Sequence, residues 1–493
     1  MGWWPWTKRM KSAARAVVRY VRAKFDSAQF TPDNMKHWAQ ADFLSANAAA
    51  RREVRWVLRN RARYEVANNS YARGIVLTLA NDVIGTGPRL QMLLGDGEND
   101  GGTNVNGVIE REFAAWAKEI DLPGKLRTMR MARAQDGEAF GLFVTNERLT
   151  SPVKLDIKLI EADQVTTPLM SWPTPTFIDG ITLDENGNPL TYHVLDHHPG
   201  DFLNTYPLKG RDLPAEYILH WLRSDRPGQS RGLPDIMPAL PLFAQLRRFT
   251  LAVLGAAESA ASVAVFMKTT APPGGEAAEV PLNATMEFEH NMAVFGPEGW
   301  EPTQIKAEQP ATTYEMFKRE ILNEIARCLN MPYNIAACNS SGYNYSSGRL
   351  DHQTYYKNIR VEQNHLESVI LDHIFSAWLA EAGLVFDELE GLDDCPHQWF
   401  WDGHEHVDPQ KEANAQAQRL ASHTTTLASE YARQGKDWET ELRQRAKEVS
   451  LMKELGLTIE QVKPMREPTP EDDAGDGVPA AANANQEANR AAA

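Results

Sequence analysis

Two short stretches of this 493-residue chain carry residue types that could do chemistry. Gly228-Gln-Ser230-Arg-Gly232 has the spacing of a hydrolase nucleophile, which needs a strand feeding into the serine and a helix leaving from it. Pro227 precedes the run, Pro234 follows it, and Arg226 and Arg231 flank the serine. An arginine-rich loop ahead of a helix is the simpler reading, and no catalytic residue is expected. Asp402-Gly-His404-Glu-His406-Val-Asp408 offers several metal-type ligands. On an extended strand His404 and His406 would point to one side, as a metal requires. His397 is close, but no further ligands of matching spacing occur, so a surface turn ahead of a helix cap at Asp408 is expected and no metal. His197-His198, in a Pro-Gly-Asp loop, carries still less weight. The chain lacks a Gly-x-x-x-x-Gly-Lys-Ser/Thr run, so it offers no phosphate cradle of that type, and neither an enzyme nor a cofactor is expected.

The elements around these stretches say more than the stretches do. Ala311 to Glu381 reads as a helix, a polar loop and a much longer helix. Thr312 and Glu315 form a capping box, and Tyr314, Phe317, Ile321, Leu322, Ile325 and Leu329 recur at helical steps. Pro332 stops that helix. The run from Asn334 to Gly348 has few charges and no buried-strand pattern, and a polar loop between two firm helices usually touches something. From Arg349 a second helix is expected, burying Leu350, Ile359, Leu366, Ile370, Ile374 and Trp378. Leu233 to Ala264 reads as another long helix, its second half dominated by Ala252, Gly255, Ala256, Ala257, Ser259, Ala260, Ala261 and Ser262. A membrane reading of that small-residue run is weakened by Arg247, Arg248 and Glu258, and close packing of identical helices in a ring accounts for it better.

Elsewhere, Thr31-Pro32 caps helices running to about Ala80. Leu126 to Val144 passes from helix to strand, and Leu155 to Ile160 alternates as a half-buried strand. Asp184 to Pro189 is a turn, and Tyr192–Leu195, Tyr217–Leu222 and Gln398–Trp401 are further strands. Asp408-Pro409 starts a helix to about Arg433, Asp437 starts another, and Thr458 to Gln461 forms a capping box. The fold class is therefore α+β, mainly helical. No apolar run approaches the ~20 residues of a membrane span. Cys328, Cys338 and Cys395 form no C-x-x-C pair, which argues against zinc or a disulfide framework.

The net charge of −15 is uneven. The first 65 or so residues are strongly basic, with Lys8, Arg9, Lys11, Arg15, Arg19, Arg22, Lys24, Arg51, Arg52, Arg55, Arg59, Arg61 and Arg63. That run is either a solvated helix face or an arm that meets nucleic acid or an acidic partner. Trp3, Trp4 and Trp6 also admit a peripheral membrane segment, although a helix docked on a neighbouring subunit is preferred. The acidic remainder argues against a wide DNA-gripping surface.

Ile325-Ala-Arg-Cys-Leu-Asn-Met-Pro332, then Tyr345-Ser-Ser and a long helix, resembles the portal proteins of tailed bacteriophages, in particular the lambda-like family. Arg231-Gly-Leu-Pro234, Trp401-Asp-Gly and Val407-Asp-Pro-Gln-Lys-Glu-Ala413 extend the resemblance in the same order. It implies a portal-like fold assembled as a dodecameric ring at one capsid vertex, through which double-stranded DNA passes in packaging and ejection. Implied partners are the terminase large subunit, a head-completion or adaptor protein, and the major capsid and scaffold proteins. The implied location is the virion, with host cytoplasm during assembly. On this chain it implies a basic N-terminal arm (1–29), an α/β wing (30–232, with the strand near 398–402) and a first stem helix (233–264). A clip (265–311), a second stem helix (312–331), a tunnel loop (332–348) and a long helix (349–382) follow. A return-strand region (383–407), a helical crown (408–466) and a disordered tail (467–493) complete it. Asn339, Ser340, Ser341, Tyr343, Asn344, Tyr345 and Arg349 would approach DNA, and Arg247, Arg248, Lys318 and Arg319 are candidates to face the channel from the stem. Tyr343 and Tyr345 packing the loop onto the long helix is the competing reading. Two other functions stay open on residues alone: a hydrolase using Ser230 or a His404/His406 metal site, and a membrane or nucleic-acid adaptor acting through the basic N-terminus.

Overall fold

A computed structural model describes residues 36–94, 105–168, 174, 176–201, 209–262, 266–269, 300–303, 313–392, 395–403, 409–434, 436 and 438–457. The chain forms two units, one ending at Asp402 and one starting at Gly403. The basic segment up to Lys24, the metal-type histidines His404 and His406, the Thr458 capping box and the tail all lie outside the described residues.

The first unit opens with helices whose starts are set by side-chain caps. Ser45 accepts from Ala48 N at the start of α1 (Ala46–Ala49). α2 (Arg52–Asn68) runs into Asn69, whose side chain accepts from Tyr71 N and Ala72 N and so opens α3 (Ser70–Ile84). β1 (Arg89–Met92), α4 (Val105–Glu119) and α5 (Leu122–Asp136) follow. α5 ends at Gly137, whose φ of 92° lets the chain turn straight into β2 (Glu138–Thr145). β2 is the centre of a three-stranded antiparallel sheet, with β3 (Leu155–Ile160) on one side. β4 (Phe177–Ile178), β5 (Ile181–Leu183), β6 (Pro189–Leu195) and β7 (Gly210–Pro214) form a second, meandering sheet. β8 (Ile218–Leu222) returns to the other side of β2.

α6 (Leu240–Ser262) starts later than Leu233. Pro234 and Pro238 lack the N–H that a helix interior needs, and Met237–Ala239 forms a tighter 3-10 turn instead. β9 (Phe266–Thr269) pairs antiparallel with β10 (Trp300–Thr303). α7 (Thr313–Arg327) is followed by the one-turn α8 (Tyr333–Ala336). α9 (Tyr345–Leu366) begins before Arg349, because Asn344 Oδ1 accepts from Ser347 N and supplies the cap. A π-turn, Glu367–Leu371, separates it from α10 (Asp372–Ala382). β11 (His397–Phe400) pairs with β1, so the late strand returns to the region before residue 232 and forms a separate two-stranded sheet there. Trp399 Nε1 donates to Asp372 Oδ1 at 2.8 Å and fixes β11 beside α10.

The main core is helical and aromatic. Phe113, Trp116, Phe375 and Trp378 are almost fully buried, and the Phe113 and Trp378 rings meet edge to face at 5.3 Å. Burying each such side chain contributes roughly 1.5–3 kcal/mol. In the second unit, α11 (Pro409–Ala421), α12 (Leu427–Arg433) and α13 (Trp438–Glu454) replace the longer helix expected up to Arg433. That helix breaks because His423 takes a φ of 56° and Thr424 Oγ1 turns back to Arg419 O. Arg419 then bridges Glu412 at 2.8 Å and Glu430 at 3.0 Å, tying α11 to α12.

Candidate functional site

The loop between β8 and α6 carries Arg231-Gly232-Leu233-Pro234-Asp235, in which Arg231 and Asp235 are both buried. Arg231 Nη2 lies 2.7 Å from Glu138 Oε1, and its Nη1 donates to Val165 O at 3.0 Å. Glu138, fully buried at the start of β2, also receives Arg55 at 3.1 Å, and Arg59 from the next turn of α2. His220 Nε2 sits 3.1 Å from the other Glu138 oxygen, and Tyr192 Oη is 3.2 Å from His220 Nδ1. Burial alone would raise the Glu138 pKa, but Arg231, His220, Arg59 and Arg55 hold it well below the usual carboxylate range. Burial pushes His220 below its ordinary 6.5, against the pull of Glu138.

Asp235, four residues along, anchors a second buried cluster. Its Oδ2 is 3.0 Å from Arg130 Nη1 on α5, and its Oδ1 is 3.1 Å from Arg223. Arg130 also meets Glu362 of α9, and Arg133 Nη1 is 3.3 Å from the same Glu362 oxygen. Between the two clusters the backbones of Gly137 and Gly232 press together, and a Cβ on Gly232 would overlap Gly137 O. The root of α6 is thus stapled to α2, α5, β2 and α9 by charges that are buried, apart from Arg223 at the edge of the second cluster.

Away from the root, α6 and α7 pair through Phe249, whose ring stacks with Tyr314 at 5.7 Å and meets Phe317 at 5.3 Å. Both helices also leave apolar side chains uncovered: Leu251 is 62 % exposed, Leu254 54 % and Met316 60 %, and Phe317 stays 59 % exposed although it meets Phe249. Of the basic side chains on α6 and α7, Arg247 is committed, because both its terminal nitrogens lie 3.0 Å from the Glu65 carboxylate. Lys318 sits 5.2 Å over the Tyr71 ring, and Arg319 stacks 5.3 Å from Tyr333. Arg248 is exposed.

The loop ahead of α9 satisfies itself over short range. Asn339 Oδ1 accepts from Ser341 N at 2.9 Å, and Tyr343 N donates to Ser340 O at 3.2 Å. Gly342 takes a φ of 82°. Tyr343 is half-buried, and a Cβ on Gly348 would touch its ring at 3.5 Å, so this tyrosine lies along the first turns of α9. Asn344 is spent as the helix cap, and Tyr345 is the first helical residue rather than part of the loop. Asn339, Ser340, Ser341 and Arg349 are exposed.

Ser230 meets Asn47, its N–H donating to Asn47 Oδ1 at 2.9 Å. It stands in a loop well after β8 and well before α6, so neither element of a nucleophile turn adjoins it. Glu161, Asp163 and His198 come together as metal-type side chains. Arg63 lies 2.8 Å from Asp163 and 3.4 Å from Glu161, so a guanidinium already supplies the positive charge there. Arg55, Arg59 and Arg63 correct the expectation for the basic segment. They are neither a solvated face nor an arm, but counter-charges inside the first unit. Their four-residue spacing on α2 was the signal, since it places all three on one face. Glu138, Arg130 and Glu362 left no such trace. No described helix is long and apolar enough to cross a membrane.

Residues 31–363 match the family model for phage portal proteins of the lambda family. The chain belongs to that family. A probable portal protein of Halomonas phage phiHAP-1 is 26 % identical over 432 residues, covering 81 % of each chain. Among solved structures, a chain from the neck of the native gene transfer agent particle, computed with C12 symmetry, is 10 % identical with a TM-score of 0.42. The match covers 78 % of this chain and 94 % of that one. An HK97 family phage portal protein from Corynebacterium diphtheriae is 14 % identical with a TM-score of 0.28, covering 72 % of this chain and 97 % of that one. In this portal protein the span that matches the family includes both buried charge clusters, from Arg55 to Glu362.

Proposed function

We propose that the chain forms the ring at one vertex of a phage capsid, a non-enzymatic conduit for double-stranded DNA during packaging and ejection. The observation that carries this reading is the family match over residues 31–363. Two structural features support it. α6 and α7 leave Leu251, Leu254, Met316 and Phe317 uncovered in a single copy, as a stem built to be flanked by its neighbours requires. Asn339, Ser340 and Ser341 are exposed, uncharged and hydrogen-bonded locally, and such groups touch passing DNA without fixing phosphates that would oppose sliding.

In this reading twelve copies close the ring, as in the C12 gene transfer agent neck. The wing is 30–232, the stem helices are α6 and α7, and residues 265–311 form the clip that meets the terminase large subunit and later a head-completion protein. The helices after Gly403 face the capsid interior as the crown. The ring resides in the virion after assembly in the host cytoplasm, in contact with major capsid and scaffold proteins. Asn339, Ser340, Ser341, Tyr343, Asn344, Tyr345 and Arg349 line the narrowest part of the channel. Arg248, Lys318 and Arg319 face it from the stem, while Arg247 holds α6 to α2 through Glu65. The double variant Tyr343→Ala, Tyr345→Ala tests the loop: rings should form normally while the yield of DNA-filled capsids falls. Unchanged packaging would remove both tyrosines from DNA transit.

A further inference from the structure

Two exposed faces of the first unit carry opposite charge around an apolar centre. On α2, Trp56 is 60 % exposed, Tyr64 56 % and Val57 39 %. At about 100° per residue these positions share one broad side of the helix. Arg52 and Arg61 bracket that side, both exposed and neither with an ion-pair partner among the described residues. Glu53, on the same side, is held by Arg51 at 3.7 Å. The second face follows α10. Leu384 is 87 % exposed and Val385 44 %. Beside them a groove of about 430 Å³ is lined in part by Leu379, Leu392, Asp387 and Glu390. Asp387, Glu388 and Glu390 are exposed and have no ion-pair partner among the described residues. From Val361 to Gln410 the sequence contains no Lys or Arg that could neutralise them locally.

We propose that these faces meet between neighbouring copies, the α2 face of one copy seating on the acidic groove of the next. The inference rests on the ring reading above and supplies a contact that the reading leaves open. A tryptophan beside small apolar side chains gives such a contact its area, because Trp buries about 150–250 Å² when covered. Arg52 and Arg61 against Asp387, Glu388 and Glu390 set its register and speed the encounter. The two faces are different surfaces of one chain, so the contact is heterologous. Repeated contacts of that kind close into a ring when the rotation between copies permits. A self-complementary pairing of either face is opposed by its own like charges.

The test is charge exchange in the full-length chain, read by mass photometry at fixed concentration. Arg52→Glu with Arg61→Glu, and separately Asp387→Lys with Glu390→Lys, should each lower the ring fraction about tenfold or more, as like-charge juxtaposition does. Combining all four substitutions should restore rings. Circular dichroism spectra of the separate sets should match wild type, since every site is exposed and each copy still folds. Intact rings in both separate sets, or no recovery in the combination, would overturn the contact while leaving the ring reading standing. A wild-type chain that forms no ring removes both. A photo-crosslinker at Leu384 identifies the occupant directly: a product with the α2 peptide of another copy supports the contact. A product with residues 1–25 of the chain, or with a different protein, refutes it.

Discussion

The root of α6 and the loop ahead of α9 are both rich in polar side chains, and they are built in opposite ways. At the root, Arg55, Arg59, Arg130, Arg231, Glu138 and Asp235 are buried and matched against one another across elements far apart in sequence. In the loop, Asn339, Ser340 and Ser341 bond only to near neighbours and remain exposed. A buried charge fixes geometry because leaving it unmatched is expensive, whereas an exposed amide or hydroxyl can exchange partners with water or a ligand at little cost. On the function proposed above, the root supplies the part that does not give and the loop the contact surface that does.

The difference can be broken most severely at Glu138. Glu138→Gln keeps the shape but removes the carboxylate that Arg55, Arg59 and Arg231 share, leaving three buried guanidiniums with only Asp179 and Asp163 opposite them, so it should cost about 3–5 kcal/mol in denaturant unfolding. A loss below about 1 kcal/mol would mean that the root is not held by its charges. Gly232→Ala comes next, since its Cβ meets Gly137 O; forced overpacking of this kind costs about 1–3 kcal/mol. The same substitution at exposed Gly456 has nothing to clash with, although its φ of 69° still disfavours a side chain.

The root should also give stability a pH slope. His220 titrates below its ordinary 6.5 when folded, because burial disfavours the imidazolium. As pH falls below about 6.5 the unfolded chain takes up that proton first, so folding loses stability until the depressed folded value is passed. The loss is at most about 1.4 kcal/mol per pH unit for one proton. His220→Gln should flatten the slope relative to wild type in melts between pH 7 and 5; an unchanged slope would place its origin elsewhere. The smallest effect belongs to the loop. Asn344→Ala removes one exposed cap and should cost about 1 kcal/mol, visible as fraying of the first turn of α9 in hydrogen exchange.

Local rules made much of this fold readable. The alternation of Leu155 to Ile160 gave β3, and the steps of Ile321, Leu322 and Ile325 gave α7. Long-range pairing was not readable. Nothing near Arg89 announces that it pairs with Phe400, and a helix rich in arginine looks solvated until Glu138 is brought to it by the fold. Asn344 carried a cap signal, but the surrounding glycines and serines read as loop and hid the start of α9. Prolines at 234 and 238 moved the start of α6 in the way their missing N–H requires. The loop residues that would meet DNA were named from resemblance alone; the structure adds that Asn344 is a cap and that Tyr343 lies on its own helix.

Electron microscopy of the purified full-length chain, averaged without imposed symmetry, tests the central claim most directly. Closed rings with an open centre, α6 and α7 flanked by their neighbours and Gly342 near the axis, are the expected image. A population of monomers under all assembly conditions, or rings that carry Gly342 on their outer surface, would contradict it.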